Sequence, residues 1–335
     1  MVQQRVINCI VLLGVFLAGC VSSPAAVSTN LSRPTAETAV PPTEIIPATK
    51  QPLPPTQTAV PTPTKEPTET PVFVGVEAPV ATPESTATFA AYGVAQIIGS
   101  SAGGRSIESY RFGFGTKTIV LVGGMHGGYE WNTIVLAYEM IDYFLENPDQ
   151  VPANISLYII PSANPDGQYA VTGKDGRFTS ADVTGSIEPG RFNANQVDLN
   201  RNWACDWQRE AVWGTTVVSA GSVPFSEPET AALRTFFLRE NPEMVLFWHS
   251  KADGIYVGSC DGLYQPSKDI AEIYGRESGY TVYDQFTAYA ISGDASDWLA
   301  TQNIPSFTVE LKTRSQIDWS QNLAGVLVLL DYYGR

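Results

Sequence analysis

Only two histidines occur in the 335 residues, and each closes an apolar run. His126 ends Ile119-Val-Leu-Val-Gly-Gly-Met-His, and His249 ends Met244-Val-Leu-Phe-Trp-His. Neutral imidazole is the commonest protein ligand for metals near neutral pH. Glu130 follows His126 by four residues, so one helical turn or a small bulge would bring the two side chains to one face. Gly127 and Gly128 between them let the backbone bend tightly. Two imidazoles, one carboxylate and a fourth position open to water make a standard catalytic zinc shell. By position alone, an equal reading is two ordinary strand-end histidines, with Glu130 favouring a helix N-terminus.

Chemistry of that kind needs rigid elements behind it. Apolar stretches bounded by Gly and Pro predict strands at Ile97–Ile98, Tyr110–Phe112, Thr118–Val122, Ile155–Ile160, Val245–Trp248 and Phe307–Leu311. Between them, apolar residues at helical spacing predict a helix from Glu130 to Leu145, stopped before Pro148. Ser226-Glu-Pro-Glu229 predicts a second helix start, with Ser226 as N-cap and Glu229 at the capping-box position. Gln321 to Tyr333 predicts a third. Runs such as Ile119-Val-Leu-Val are apolar on both faces and therefore covered on both. The alternation predicts an α/β fold: one domain, 89–335, on a mixed, mostly parallel twisted sheet with helices on both faces. Ligands of such sheets sit beyond the carboxyl ends of the strands, where both histidines fall.

Six segments in order extend the pattern. They are Ile98-Gly-Ser-Ser-Ala-Gly-Gly-Arg105-Ser-Ile with Gly123-Gly-Met-His126, Pro161-Ser-Ala-Asn-Pro-Asp-Gly167, Val197-Asp-Leu-Asn-Arg-Asn-Trp203, Pro224-Phe-Ser-Glu-Pro-Glu-Thr230, His249-Ser250 and Phe307-Thr-Val-Glu310-Leu. Through them the chain resembles the zinc carboxypeptidases of the carboxypeptidase A/B/T type over essentially the whole domain. The resemblance implies one zinc ion held by His126, Glu130 and His249. It implies Glu310 as general base, taking a proton from the attacking water and passing it to the leaving amine. Asp198 matches an acid that accepts the free N–H of the first zinc histidine. Asn200 and Arg201 match the pair that holds the substrate's terminal carboxylate, a task suited to a guanidinium fork. Tyr289 precedes Ser292-Gly-Asp-Ala-Ser-Asp-Trp298 and matches a mobile tyrosine that closes over the bound terminus. Arg191, with Arg177 as rival, matches the arginine that stabilises the oxyanion. One departure stands out: the family spacing is His-x-x-Glu, and here one residue more separates the pair.

The implied substrate is a peptide with a free C-terminal carboxylate. Asp294 falls where the pocket for the terminal side chain is expected; there it would favour a basic group, or else cap the loop. Peptidoglycan stem peptides are an alternative substrate. A tethered zinc- or peptide-binding module without catalysis is another reading, against which Glu310 counts because binding needs no base.

Outside the domain the composition changes. Residues 1–20 carry Arg5, a short apolar stretch and Leu17-Ala-Gly-Cys20, which resembles a bacterial lipobox. The expectation is an exported protein held to the membrane of the cell envelope by a lipid on Cys20. Residues 21–88 hold fourteen of the 24 prolines and no Trp or Tyr, the composition of an extended tether. Of the four cysteines, Cys9 leaves with the signal, and Cys205 and Cys260 form a candidate disulfide. A net charge of −14 with no basic run excludes a nucleic-acid partner.

Overall fold

Every apolar run named above forms a strand in the computed structural model, which describes residues 92–335. The signal-like segment, Cys20 and the tether lie outside the described residues. In chain order the strands are β1 (Ala95–Ser100), β2 (Ser106–Phe112), β3 (Lys117–Val122), β4 (Ile155–Ile160), β5 (Glu210–Trp213), β6 (Thr216–Ser219), β7 (Met244–Ser250), β8 (Gly254–Val257), β9 (Val282–Tyr283) and β10 (Ser306–Leu311). Eight of them form one sheet in the order β1-β2-β4-β3-β7-β10-β8-β9, while β5 and β6 make a separate hairpin. The four central strands β4, β3, β7 and β10 are parallel, and antiparallel pairings flank them. The sheet is therefore mixed and mostly parallel.

Six helices cover it: α1 (Trp131–Glu146), α2 (Pro165–Thr172), α3 (Pro228–Glu240), α4 (Gln265–Ser278), α5 (Ala295–Thr301) and α6 (Trp319–Gly334). Side chains alternate across a strand, and the core divides accordingly. Ile119 and Leu121 of β3, with Met244, Leu246 and Trp248 of β7, pack into one apolar cluster with α1, α4 and α6. Val120 and Val122, with Val245 and Phe247, face a second cluster that holds Leu233, Phe236 and Phe237 of α3 and Trp298 of α5. Both faces are covered, which is why the central strands read as unbroken apolar runs. No helix among the described residues is long and apolar enough to cross a membrane.

The start of α3 differs from the expectation. Its N-cap is Glu227, whose side chain makes no capping bond, and Pro228 is the first helical residue. Ser226 instead donates to the Glu227 carboxylate, and Glu229 is fully buried, accepting from the Ala102 backbone N–H and from Asn193. A carboxylate with such distant partners is drawn away from the helix backbone, so no reciprocal cap forms.

The topology explains why the histidines meet. From β3 the chain continues to β4 on one side, while β7 lies against β3 on the other. Strand order thus reverses between β3 and β7, and a crevice opens at their carboxyl ends. His126 lies just beyond β3 and His249 is the penultimate residue of β7.

Candidate metal centre and active site

A 3-10 turn over Gly127–Glu130 converts the chain direction between β3 and α1. It is closed by Gly127 N–H to Gly124 O at 2.9 Å and Tyr129 N–H to His126 O at 3.0 Å. Gly127 has φ +44°, and a Cβ there would lie 2.7 Å from the Gly190 carbonyl oxygen. Only glycine meets both conditions at low cost. The turn absorbs the additional residue between His126 and Glu130: His126 Nδ1 lies 2.9 Å from Glu130 Oε1.

His249 completes the cluster. Its Nδ1 lies 3.0 Å from Glu130 Oε2 and 3.1 Å from His126 Nδ1. All three side chains are buried. Two ring nitrogens and a carboxylate converging on one point are a donor set that fits zinc, and the protein also fixes the tautomer. His126 Nε2 lies 3.3 Å from Asp198 Oδ1, a contact that favours the ring proton on Nε2, with Nδ1 turned to the cluster. Burial pushes the Glu130 carboxyl up, but His126 and His249 outweigh it and hold it well below the usual range. For His249 burial pulls down, and the Glu130 charge more than compensates.

Asp198 is fully buried and held from the other side by Arg191, whose Nε and Nη2 donate to Oδ2 at 2.9 and 2.7 Å. Burial raises this carboxyl, but Arg191 and then His126 carry it far below the ordinary value. Arg191 also lies 4.6 Å above the Trp213 ring centroid. Its fork is thus spent on the acid that orients His126. The rival Arg177 forks onto Asp142 at the surface, with both side chains about half exposed.

Glu310 pairs in register with His249 on the adjacent parallel strand, so the two side chains leave the sheet on one face. Its Oε2 accepts the Ala252 N–H at 3.0 Å. Burial, and then the Glu130 charge, push the Glu310 carboxyl up to about 7 against the pull of His249.

From the cluster a cleft of ≈ 540 Å³ opens, lined by His126, His249, Glu310, Arg201 and Tyr289, among others. Arg201 is buried, and its recorded hydrogen bonds go to the backbone carbonyls of Val212 and Asn200 at 3.1 and 2.7 Å. Its charge is not spent on a carboxylate among the described residues. Asn200 is differently occupied: Oδ1 accepts Ala295 N–H at 3.1 Å, and Nδ2 donates to Asp294 Oδ2 at 2.6 Å. Tyr289 stands over the cleft with its ring 4.9 Å from that of Phe286, and burial pushes its hydroxyl up.

Asp294 is not free to read a substrate. Its Oδ1 accepts from Ser296 N, Ser296 Oγ and Asp297 N at 2.8, 2.6 and 3.3 Å, and Asn200 takes Oδ2. The N-cap of α5 takes Oδ1 and Asn200 holds Oδ2, so Asp294, though it lines the cleft, is committed to positioning its loop. The acid with spare capacity is Asp297, one turn on. Its Oδ1 accepts the Ser259 N–H at 2.8 Å, while Oδ2 has no recorded partner, and the residue lines the cleft. Burial and the neighbouring Asp294 push Asp297 up to about 8. Asp-x-x-Asp before Trp298 is an N-cap with an acid at the third helical position, a pattern that could have separated the two roles. Cys205 and Cys260 are joined by a disulfide with Cα atoms 5.8 Å apart, and Cys260 lines the cleft.

The family model described as "Zinc carboxypeptidase" matches residues 94–322, well over half of the chain. The chain belongs to the zinc carboxypeptidase family. It is 30% identical over 165 residues to carboxypeptidase B of Astacus astacus, covering 46% of this chain and 52% of that one. It is 27% identical over 251 residues to zinc carboxypeptidase A 1 of Drosophila melanogaster, covering 65% of this chain and 56% of that one. The chain thus spans about half the length of these relatives. Bovine thrombin-activatable fibrinolysis inhibitor shares the fold at TM-score 0.55 and 19% identity, over 71% of this chain and 89% of that one. Carboxypeptidase A from Helicoverpa armigera does so at TM-score 0.54 and 22% identity, over 72% of this chain and 67% of that one. In zinc carboxypeptidase terms, the His126–Glu130–His249 cluster is the candidate site for one zinc ion.

Proposed function

We propose that this zinc carboxypeptidase family member hydrolyses the last peptide bond of peptides and releases one C-terminal residue. The observation that carries the reading is the placement of Glu310 beside His249, at the mouth of a cleft that also holds the unspent charge of Arg201. A bound zinc would polarise the scissile carbonyl and bring the pKa of water near 7. The chain's own residues do the rest. Arg201 receives the terminal carboxylate, and Tyr289 covers it from the aromatic side of the cleft. Asn200 braces the α5 start behind Arg201 rather than gripping substrate, because both ends of its amide already have partners. Glu310 takes the proton of the attacking water and returns it to the leaving amine. The Ala252 N–H fixes one of its oxygens and leaves the other for that transfer. Asp198 and Arg191 keep the His126 tautomer; with Nε and Nη2 engaged, Arg191 has Nη1 left to turn toward developing negative charge. Asp297 gives the cleft a preference for a terminal residue with a cationic side chain.

The test is a digest of a mixed peptide library by the zinc-loaded protein. Single C-terminal residues, Lys and Arg foremost, should be lost, and chelation should abolish the loss. Glu310→Gln should keep its zinc and lose about a hundredfold or more in rate, the usual worth of a general base. Cleavage that persists after chelation, or at internal bonds only, would overturn the reading.

A further inference from the structure

The 3-10 turn that carries Glu130 also anchors an aromatic and cationic group that lies outside the cleft lining. Tyr129 adjoins Glu130 on the 3-10 turn, and its ring packs edge-on against Trp213 at 5.1 Å. Arg314 lies over the Tyr129 ring with its guanidinium carbon 4.1 Å from the centroid. None of these three lines the cleft that holds Arg201 and Asp297.

Arg314 differs from Arg191 on the same ring pair in having no protein partner. Its Nε is enclosed without a hydrogen bond, and it forms no ion pair among the described residues. Glu188 is near enough to feel its charge but forms no ion pair with it, and one of its oxygens accepts from Ser186. The segment presenting Arg314 is fixed at its base. Asn132 at the start of α1 donates to the Thr313 and Gln316 carbonyls at 2.7 and 2.8 Å, and its Oδ1 accepts from Ser250, next to His249. The Thr313 hydroxyl closes the turn by accepting the Gln316 N–H at 3.0 Å. The backbone that carries Arg314 is therefore tied to the same asparagine that accepts from Ser250 at the end of β7. Stacking on a ring orients a guanidinium while leaving its donors directed outward.

We propose that Arg314 is a specificity-determining residue that pairs with an acidic side chain on the acyl side of the scissile bond, at the residue next to it or one further upstream. The inference rests on the carboxypeptidase reading. Together with Asp297 it describes a substrate class: a peptide whose cationic last residue follows an acidic one.

Equilibrium binding separates this from the parent reading. The probes are fluorescent peptides ending in Ala-Ala-Lys, with Glu or Gln placed at either alanine, titrated into the zinc-loaded full chain carrying Glu310→Gln to prevent turnover. At one of the two positions the Glu peptide should bind about fivefold more tightly than its Gln partner, as a partly exposed ion pair would, and salt should erode the difference. Adding Arg314→Gln should remove the advantage and leave the Gln peptides unaffected, while Arg314→Lys should restore part of it. Equal binding of Glu and Gln peptides at both positions, or an advantage that survives Arg314→Gln, would overturn this assignment alone. Failure of every peptide to bind would overturn the carboxypeptidase reading and this one with it.

Discussion

Asp294 and Asp297 stand three residues apart at one end of the cleft and have opposite fates, because one is saturated by donors and the other is not. That difference is measurable through pH. Burial and the Asp294 charge push Asp297 up to about 8 from its ordinary 3.8, so between those values the folded protein holds a proton there that the unfolded chain does not. Two signs follow. The fold loses stability from this group as pH rises through that window. A bound Lys or Arg needs the charged carboxylate, so its binding releases the proton and strengthens as pH approaches 8. The ratio of kcat/KM on Lys-ended over Ala-ended peptides should therefore rise from pH 6 to 8 and then level off. Taking the ratio cancels the titration of Glu310. Asp297→Asn should make the ratio small and flat; a ratio that still climbs in this variant would remove Asp297 from the argument. Residues of this kind are half legible in sequence. Scarcity drew attention to His126 and His249, and motif order to Glu310. The capping role of Asp294 was legible as an alternative; the bonds of Asn200 to Asp294 and of Arg191 to Asp198 were not, because they form only through loop geometry.

At the scale of elements, the 3-10 turn over 127–130 is what makes the long His-to-Glu spacing workable. Tighter winding, about three residues per turn, and a left-handed Gly127 return the Glu130 carboxylate to within 2.9 Å of His126. Gly127→Ala should cost about 1 kcal/mol or more from the left-handed backbone alone, with the Gly190 carbonyl displaced in addition. Zinc affinity should fall several-fold while the sheet survives, readable as a weakened chelator competition with unchanged far-ultraviolet dichroism. Undiminished affinity would show that the turn is not what sets the cluster. The central strands were readable because each is apolar on both faces and long enough to show it. The β5–β6 hairpin and the two-residue β9 carry too few residues for a pattern. In α4 the buried apolar stripe is thin, chiefly Ile270, Ala271 and Tyr274, among charged neighbours. The misplaced N-cap at Ser226 has another cause: a correct capping motif lost to long-range hydrogen bonds.

For the whole molecule, the sheet and the cleft are built from different material. The sheet and the His126–Glu130–His249 cluster rest on two apolar layers, the second of which includes Cys205. Much of the cleft lining is loop, and Cys260, which belongs to it, is bonded to Cys205 across a sequence separation of 55, a closure worth about 4 kcal/mol by chain entropy. Cys205 follows Arg201 by four residues, and its carbonyl accepts the Gly293 N–H beside Asp294. The bond therefore ties the loop that carries Arg201 to the segment after β8 that holds Cys260. A chain kept in a reducing compartment should fold its sheet and load its metal yet remain latent, with activity arriving only on oxidation. Mild reduction should leave zinc stoichiometry intact and raise KM; an unchanged KM would assign the bond to stability alone. On this view the disulfide acts as a switch as well as a clamp, making the competence of the cleft depend on the redox state of the chain's surroundings.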